Sequence, residues 1–445
     1  MQLSADEVLQ LSPDDSSTKA AKGLVVPAKW PTLSFDADAV WGECQGSGSK
    51  PYQVQVDKSG PAFRCTCPSR KFPCKHGLAL LLLLAQVPDK FVQSSPPAWV
   101  SEWLDSRKQR AEKQAAKQAD TASTEAATSD PQAAARRDAQ RQTRMQGGID
   151  ELERWLNDRL REGLAQLPGR TSQWDELATR MIDAQLPGLA YQLRRIGAAV
   201  SKGEDWPARV LGGLGQLRLL IDAFSRIETL PEPVQADLRY ALGLPVDRET
   251  VAAAGEQIED DWVVLGQCID EDGRLWVRRV WLRGSATGRY ALLLDYAHGS
   301  RRFDQSFLTS SRLRMRLAFY PGNAPLRAIV LGEAAQIERV DAPPTLTLDE
   351  SLNTLALAEA ANPWQAPQPM LFSNGVPRHD AHGWWLQTTS QQIVPIVLPD
   401  EEGWILLAES GGEAISVFGE WQGGALRLLS AWKHGLFWVQ DGVAA

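Results

Sequence analysis

The sequence has no long apolar run. Its longest, Leu78 to Ala85, falls far short of the roughly 18–20 residues that a bilayer span needs. The amino end, Met1-Gln2-Leu3-Ser4-Ala5-Asp6, has neither a basic stretch nor an apolar core, so no secretory signal is expected. Cysteine is scarce, five in 445 residues, with three of the five between positions 65 and 74. That pattern is no disulfide framework, and thiols kept reduced fit the cytoplasm. Catalytic signatures are missing as well. No nucleophile elbow, Walker loop, His-Glu-x-x-His pair or dinucleotide fingerprint occurs. A large basic surplus is also lacking. Lys+Arg 47 against Asp+Glu 55 leave a net charge of −8, which argues against wholesale coating of nucleic acid.

What is present is ordinary for a folded chain: 43% hydrophobic and 23% charged residues, over a length that holds two to four domains. The charge is uneven. Residues 250–445 hold 15 Lys/Arg and 23 Asp/Glu and so carry the whole −8. Residues 50–76 hold six bases (Lys50, Lys58, Arg64, Arg70, Lys71, Lys75) and one acid, Asp57. This patch is the compact electrostatic pointer toward phosphates or acidic surfaces.

The stretch Cys65-Thr66-Cys67-Pro68-Ser69-Arg70-Lys71-Phe72-Pro73-Cys74-Lys75-His76 is the strongest chemical signal. Zn²⁺ takes four nitrogen or sulfur ligands in a tetrahedron. Cys65 and Cys67 offer two thiolates from one strand end, and Pro68 and Pro73 make the spacer a loop. Cys74 and His76 open an apolar run that reads as a helix. Hairpin ligands and helix-start ligands can then meet around one ion. Ordinary unclustered thiols are the bland alternative, and they do not account for a histidine joining three cysteines within twelve residues.

These residues resemble the SWIM-type zinc finger, whose signature is Cys-x-Cys, a variable spacer and Cys-x-His. Residues 65–76 match each ligand position, and Lys75-His76-Gly77-Leu78 matches the usual continuation. Trp41-Gly42-Glu43-Cys44-Gln45-Gly46-Ser47-Gly48, with Pro51-Tyr52-Gln53-Val54, is similar to a bacterial group of such proteins with a helical middle and a long C-terminal region. The resemblance implies one structural zinc on Cys65, Cys67, Cys74 and His76, and DNA or protein binding. It identifies no reaction.

Along the chain, four regions are expected. Residues 1–104 form the finger domain with an N-terminal arm. Tyr52 to Asp57 alternates at period two and pairs with Ala62 to Cys65 as a hairpin. A helix from Lys75 to about Gln86, apolar at nearly every position, must be buried. Gly42-x-x-x-Gly46-x-Gly48 reads as a loop before the strand rather than a phosphate loop, because no Gly-Lys-Ser/Thr end follows. Residues 105–147, with almost no large apolar side chain, read as a flexible linker. Residues 148–247 show apolar stripes at helical spacing, such as Ile149, Leu152, Leu156 and Leu160, and read as a helical bundle. Ser172-x-x-Asp175 resembles a capping box, and Asp205 with Pro207 suits a helix start.

Residues 248–445 read as one or two antiparallel β domains of sandwich or barrel type. Strands are expected at Trp262–Cys268, Leu275–Leu282, Arg289–Asp295, Leu313–Phe319, Leu326–Gly332, Trp384–Gln387, Gln392–Leu398, Trp404–Ala408, Ile415–Glu420 and Leu426–Trp432, with a helix at Leu352–Ala360. The fold class is therefore α+β and multidomain: a small ββα finger domain, a helical middle and a β-rich end. Arg312, Arg314 and Arg316 line one strand face and could grip phosphates, but a solvated face paired with acids suits an acidic region better. His379-Asp380-Ala381-His382 has metal-compatible types with turn chemistry.

The function expected is a non-catalytic, zinc-binding adaptor or scaffold that binds a protein, or DNA through Arg64, Arg70, Lys71 and Lys75. The alternatives are a DNA-binding regulator and an enzyme with its site in the β region.

Overall fold

The computed structural model describes residues 5–12, 15–46, 50–58, 62–69, 73–106, 131–244, 246–272, 275–298, 303, 305–332, 334, 337–343 and 346–440. No described helix is long and apolar enough to cross a membrane.

The N-terminal region starts with α1 (Ala5–Gln10) and α2 (Asp15–Lys22). There follow β1 (Thr32–Phe35), β2 (Ala39–Cys44), β3 (Tyr52–Asp57), β4 (Ala62–Cys65), α3 (Lys75–Gln86) and β5 (Val92–Gln93). A helix over 98–106, α4, closes the region. The expected hairpin is β3–β4, and it extends into a five-stranded sheet in the order β4-β3-β2-β1-β5. One face of the sheet packs Val40, Cys44, Val54 and Val56 against Leu78–Leu83 of α3, with Val8 of α1 and Ala21 of α2 closing over the helix. The other face packs Ala39 and Trp41 against Val100 of α4.

Gly42, expected in a loop, lies inside β2. A Cβ there would come within 2.7 Å of the Thr32 carbonyl oxygen, so the neighbouring strand itself requires glycine. With both faces covered, β2 is buried at Ala39, Val40, Trp41, Gly42 and Cys44. Such a strand shows no period-two alternation by which it could be read. Part of the Gly42–Gly48 motif, residues 47 and 48, lies outside the described residues, as does most of the expected linker, 107–130.

The middle region is a bundle of α5 (Pro131–Glu162), α6 (Thr171–Asp183), α7 (Pro187–Ala199), α8 (Trp206–Phe224) and α9 (Glu232–Leu242). Its core joins Ile149, Leu152 and Leu156 to Trp174, Leu177, Leu193, Leu217 and Leu238. α5 begins well before the expected boundary at 148. Residues 131–147 are rich in Ala, Gln and Arg, which favour helix without needing a core contact. The Ser172/Asp175 capping box does not form. The helix starts at Thr171, behind Arg170, and no side chain caps it.

From α10 (Arg248–Ala254) onward the chain builds two barrels. The first comprises β6 (Glu256–Asp272), β7 (Leu275–Gly284), β8 (Tyr290–His298), β9 (Ser311–Phe319) and β10 (Arg327–Leu331). β6, β7 and β8 pair in sequence, β9 returns to β6, and β10 joins β9 antiparallel to β8 parallel, which closes the ring. β11 (Ile337–Arg339) adds to β9, and α11 (Leu348–Ala361) leads to the second barrel.

The second barrel holds β12 (Gln368–Asp380), β13 (Gly383–Thr388), β14 (Ile393–Val397), α12 (Asp400–Ser410), β15 (Ile415–Gln422) and β16 (Ala425–Trp432). It has the same ring, strand for strand: β12-β13-β14, then β16 parallel to β14, then β15 back to β12. β17 (Leu436–Val439) adds to β16. Both rings are five-stranded Greek-key barrels with the strand order of OB-type folds. Trp404–Ala408, expected as a strand, lies in α12. Pro399 precedes that helix, three acids fill its first turn, and Gly411 ends it in a left-handed conformation.

The barrels join through Val263, Leu265, Trp281 and Leu292 of the first against Leu371, Phe418, Leu429 and Trp432 of the second. At this joint Glu420 is buried and accepts from Arg279 Nε (2.6 Å) and Nη2 (2.9 Å) and from Trp281 Nε1 (2.8 Å). Asp270 bridges Arg279 and Arg427 at 2.6 and 2.9 Å. The other regions are tied in too. Leu308, between β8 and β9, enters the core under α3. Asp237 of α9 accepts from the backbone N–H of Asn323 (3.0 Å) and from its side-chain amide (3.1 Å).

Candidate metal centre

The four expected ligands come together. One donor atom each from Cys65, Cys67, Cys74 and His76 lies within 4.8 Å of all the others. Cys65 Sγ and His76 Nδ1 are 3.8 Å apart. A Zn–S bond of about 2.3 Å implies a tetrahedral edge of roughly 3.8 Å, so these donors fit a single four-coordinate ion. Cys74 and His76 are buried, and Cys65 and Cys67 are half-buried.

The elements explain the placement. Cys65 is the last residue of β4. Beyond it, the Thr66 N–H donates to the Gln53 carbonyl at 3.0 Å, and Thr66 Oγ1 accepts from the Gln53 N–H at 3.0 Å. This double tie holds the Cys65–Cys67 turn against the start of β3. Cys74 is the N-cap of α3, in an extended conformation, and its carbonyl accepts from Leu78 N–H. The hydrogen bond with Cys65, the Gly77 N–H and the positive end of the helix favour a thiolate there, while the hydrogen bond with Cys67 and burial outweigh them and leave the Cys74 thiol raised. His76 follows in the first turn.

The ring of Tyr52 lies over His76, centroids 4.9 Å apart and tilted by 40°. Gly46 lies so close to the edge of the Tyr52 ring that a Cβ would collide with it. Gly77 serves a similar end, since a Cβ there would meet the Phe63 ring at 2.8 Å and lift α3 off the hairpin. Neither Tyr52 nor Thr66 was singled out from sequence as support for the ligands. Gly77 is legible in the sequence as part of the Lys75-His76-Gly77-Leu78 continuation of the motif, but not the Phe63 ring that it makes room for.

The three thiols of the cluster lie within hydrogen-bonding reach of one another. Hydrogen bonds with Cys65 and then Cys74 hold Cys67 far below the ordinary thiol range, and those with Cys67 and Cys74 push Cys65 far above it. Cys44 is fully buried nearby, and burial pushes its thiol up to about 11. It stays a protonated core side chain outside the ligand set. Four protein ligands close the tetrahedron and leave no place for water, which makes the site structural rather than catalytic.

Of the proposed contact residues, Arg64 and Lys75 are exposed on the finger, while Arg70 and Lys71 lie outside the described residues. The arginines of β9 are engaged: Arg312 with Glu338, Arg314 with Glu259 and Asp261, Arg316 with Glu259. The His379–His382 stretch forms the β12–β13 turn, with His382 N–H donating to Asp380 Oδ1 at 2.7 Å. The His379 ring packs against Trp384, centroids 4.4 Å apart and tilted by 45°.

Comparison with known families agrees with this geometry. Residues 52–85 match the SWIM zinc finger, and residues 140–242 match the SWIM-associated four-helix bundle domain. No curated protein and no solved structure matches the chain. With Cys65, Cys67, Cys74 and His76 holding one structural zinc ahead of that bundle, the chain is a SWIM-type zinc finger domain-containing protein.

Proposed function

We propose that the protein is a non-catalytic interaction protein of the cytoplasm, in which zinc fixes the finger as one face of a multidomain scaffold for a protein partner. The observation that carries this reading is the burial of α3. Residues His76 to Leu83 are all buried beneath α1, α2 and the sheet. A helix enclosed in this way has no face left to enter a DNA groove, whereas groove-reading fingers present their helix. The closed ligand set gives the zinc no reactive position. The ties from finger to barrel through Leu308, and from bundle to barrel through Asp237, suit an adaptor that holds its surfaces in fixed relation. Reduced thiolate ligands and no disulfide framework favour a cytoplasmic location.

A second reading, DNA binding through the finger surface, draws support from the exposed Arg64 and Lys75. Salt separates the two. Binding to phosphates weakens steeply and linearly in log salt, and binding to a protein does so far less. The test is capture from its own cytoplasm by the full chain, beside Cys74→Ser, with nuclease treatment and a salt series. A nuclease-resistant protein partner, lost with Cys74→Ser, is expected. Capture that vanishes with nuclease overturns the protein-partner reading. Turnover of a small-molecule substrate by the zinc-loaded protein overturns the non-catalytic one.

A further inference from the structure

The repeated barrel exposes one face that its twin covers. In the first barrel the outer side of β7 and β8 carries Arg279 and Trp281 beside Leu292 and Leu294, and this side lies under the second barrel. In the second barrel the same side, the outer face of β13 and β14 with the end of β12, carries Val376, Arg378, Trp385, Gln387, Ile393, Pro395 and Val397. Cross-strand registers repeat as well: Trp281 sits opposite Leu292, and Trp385 sits opposite Pro395. Yet Trp281 is fully buried, whereas Ile393 is 61% and Val397 57% exposed.

We infer that this face of the second barrel is a docking surface for a protein partner with an apolar contact surface and a carboxylate for Arg378. Three observations identify the occupant. The first is the joint inside the molecule, where the equivalent face buries aliphatic and aromatic side chains and Arg279 grips a buried carboxylate, Glu420. The second is composition. The face holds tryptophan, arginine, aliphatics and an amide, with no lysine or glutamate and with its one acid, Asp380, at the edge where β12 turns into β13, which is the make-up of a protein interface centre with a polar rim. Nucleic acid would call for several cations, and this face has Arg378 alone in a region of net charge −8. The third is unmet charge. Six first-barrel arginines, Arg278, Arg279, Arg289, Arg312, Arg314 and Arg316, meet carboxylates, while Arg283 lies over the Tyr290 ring and Arg327 over the Tyr320 ring. Among the described residues, Arg378 has only the side-chain oxygen of Gln387, at 3.4 Å.

The surface is also continuous with the existing joint. Val397 lies opposite Arg427, which bonds Asp270 of the first barrel. On β12, Leu371 is in the joint, and Val376 and Arg378 follow it on the free face.

This inference rests on reading the chain as an interaction protein. The test places a photo-crosslinking side chain in the full chain, expressed in its own cells, as Gln387→benzoylphenylalanine, with Arg314→benzoylphenylalanine as control. One discrete protein adduct is expected from position 387 and not from 314. Ile393→Asp and Arg378→Glu should each reduce it at least about tenfold, as loss of an interface anchor does, while zinc content and circular dichroism stay unchanged. Exchanging the crosslinked partner's carboxylate for lysine should restore the adduct with Arg378→Glu. The inference is overturned by no adduct specific to 387, by an adduct with nucleic acid, by a dimer of this chain, or by failure of the charge exchange. If 387 yields nothing while zinc-dependent capture persists, the face is wrong and the interaction reading stands. If both fail, both fall.

Discussion

Glu420 is the place where one substitution should separate the two barrels. It is 3% exposed and accepts from Arg279 twice, from Trp281 Nε1 at 2.8 Å and from the Cys268 thiol at 3.5 Å. In Glu420→Ala the Arg279 guanidinium stays buried with half its partners gone, and the Trp281 indole N–H loses its acceptor. Breaking a buried pair from one side costs about 3–5 kcal/mol, because a charge remains without its counterion. Asp270 still meets Arg279 at 2.6 Å, which places the cost near the lower end, about 3 kcal/mol. That is roughly two decades in a local opening constant. The chain is multidomain, so a single unfolding midpoint is the wrong readout. Fragment-resolved hydrogen exchange is the right one. Protection in β6, β7, β15 and β16 should fall by about two orders of magnitude, with α6 to α9 and the finger unchanged. Replacing the pair together, as Glu420→Leu with Arg279→Met, should restore most of the protection, since apolar side chains of similar volume often match a buried ion pair. Unchanged protection in Glu420→Ala, or a double variant no better than the single one, would refute the reasoning.

Burial opposes ionisation of Asp270, but the Arg279 and Arg427 guanidinium groups outweigh it and hold its carboxyl below the ordinary range. A depressed folded pKa contributes stability that is complete above the unfolded value, about 3.9, and is lost as pH falls through the folded one; protection at the barrel joint, taken relative to the intrinsic exchange rate at each pH, should therefore be flat from neutral pH to about 5 and fall below about 4. Limited trypsin should cut first between residues 105 and 144, where the sequence has almost no large apolar side chain, and leave a stable fragment that begins ahead of Met145, which is buried in the bundle core. A first cut within α6 to α9 would contradict that division.

The sequence carried some of this architecture openly and hid the rest for identifiable reasons. The ligand set was legible because metal binding constrains residue type directly. Buried stripes such as Ile149, Leu152 and Leu156 were legible because one face of each bundle helix is wet. β2 was hidden because both its faces are covered. β12 was hidden because Pro369, Gly375 and Pro377 interrupt its pattern, and its register shifts between Phe372 and Gly375. In α12, Trp404, Ile405, Leu406 and Leu407 are consecutive apolar residues. Only Leu406 of the four is fully buried, so the run imitated a covered strand. Closure of each barrel depends on a two-residue parallel pairing, Arg327–Ala328 with Leu292–Leu293 and Leu426–Arg427 with Ile396–Val397. No local pattern encodes contacts that short and that distant. Tyr52 was legible as a strand residue, but its place over His76 depends on how β3 meets the start of α3.

The central claim is that Cys65, Cys67, Cys74 and His76 alone enclose one zinc. X-ray absorption at the zinc edge, on protein purified without added metal, tests it most directly. The account predicts one equivalent of zinc with three sulfur neighbours at about 2.3 Å and one nitrogen at about 2.0 Å, and Cys44→Ser should leave that shell unchanged. A shell of four sulfurs would bring in Cys44 and displace His76. A shell with an oxygen neighbour would open the site to water. Either result would contradict the closed structural centre.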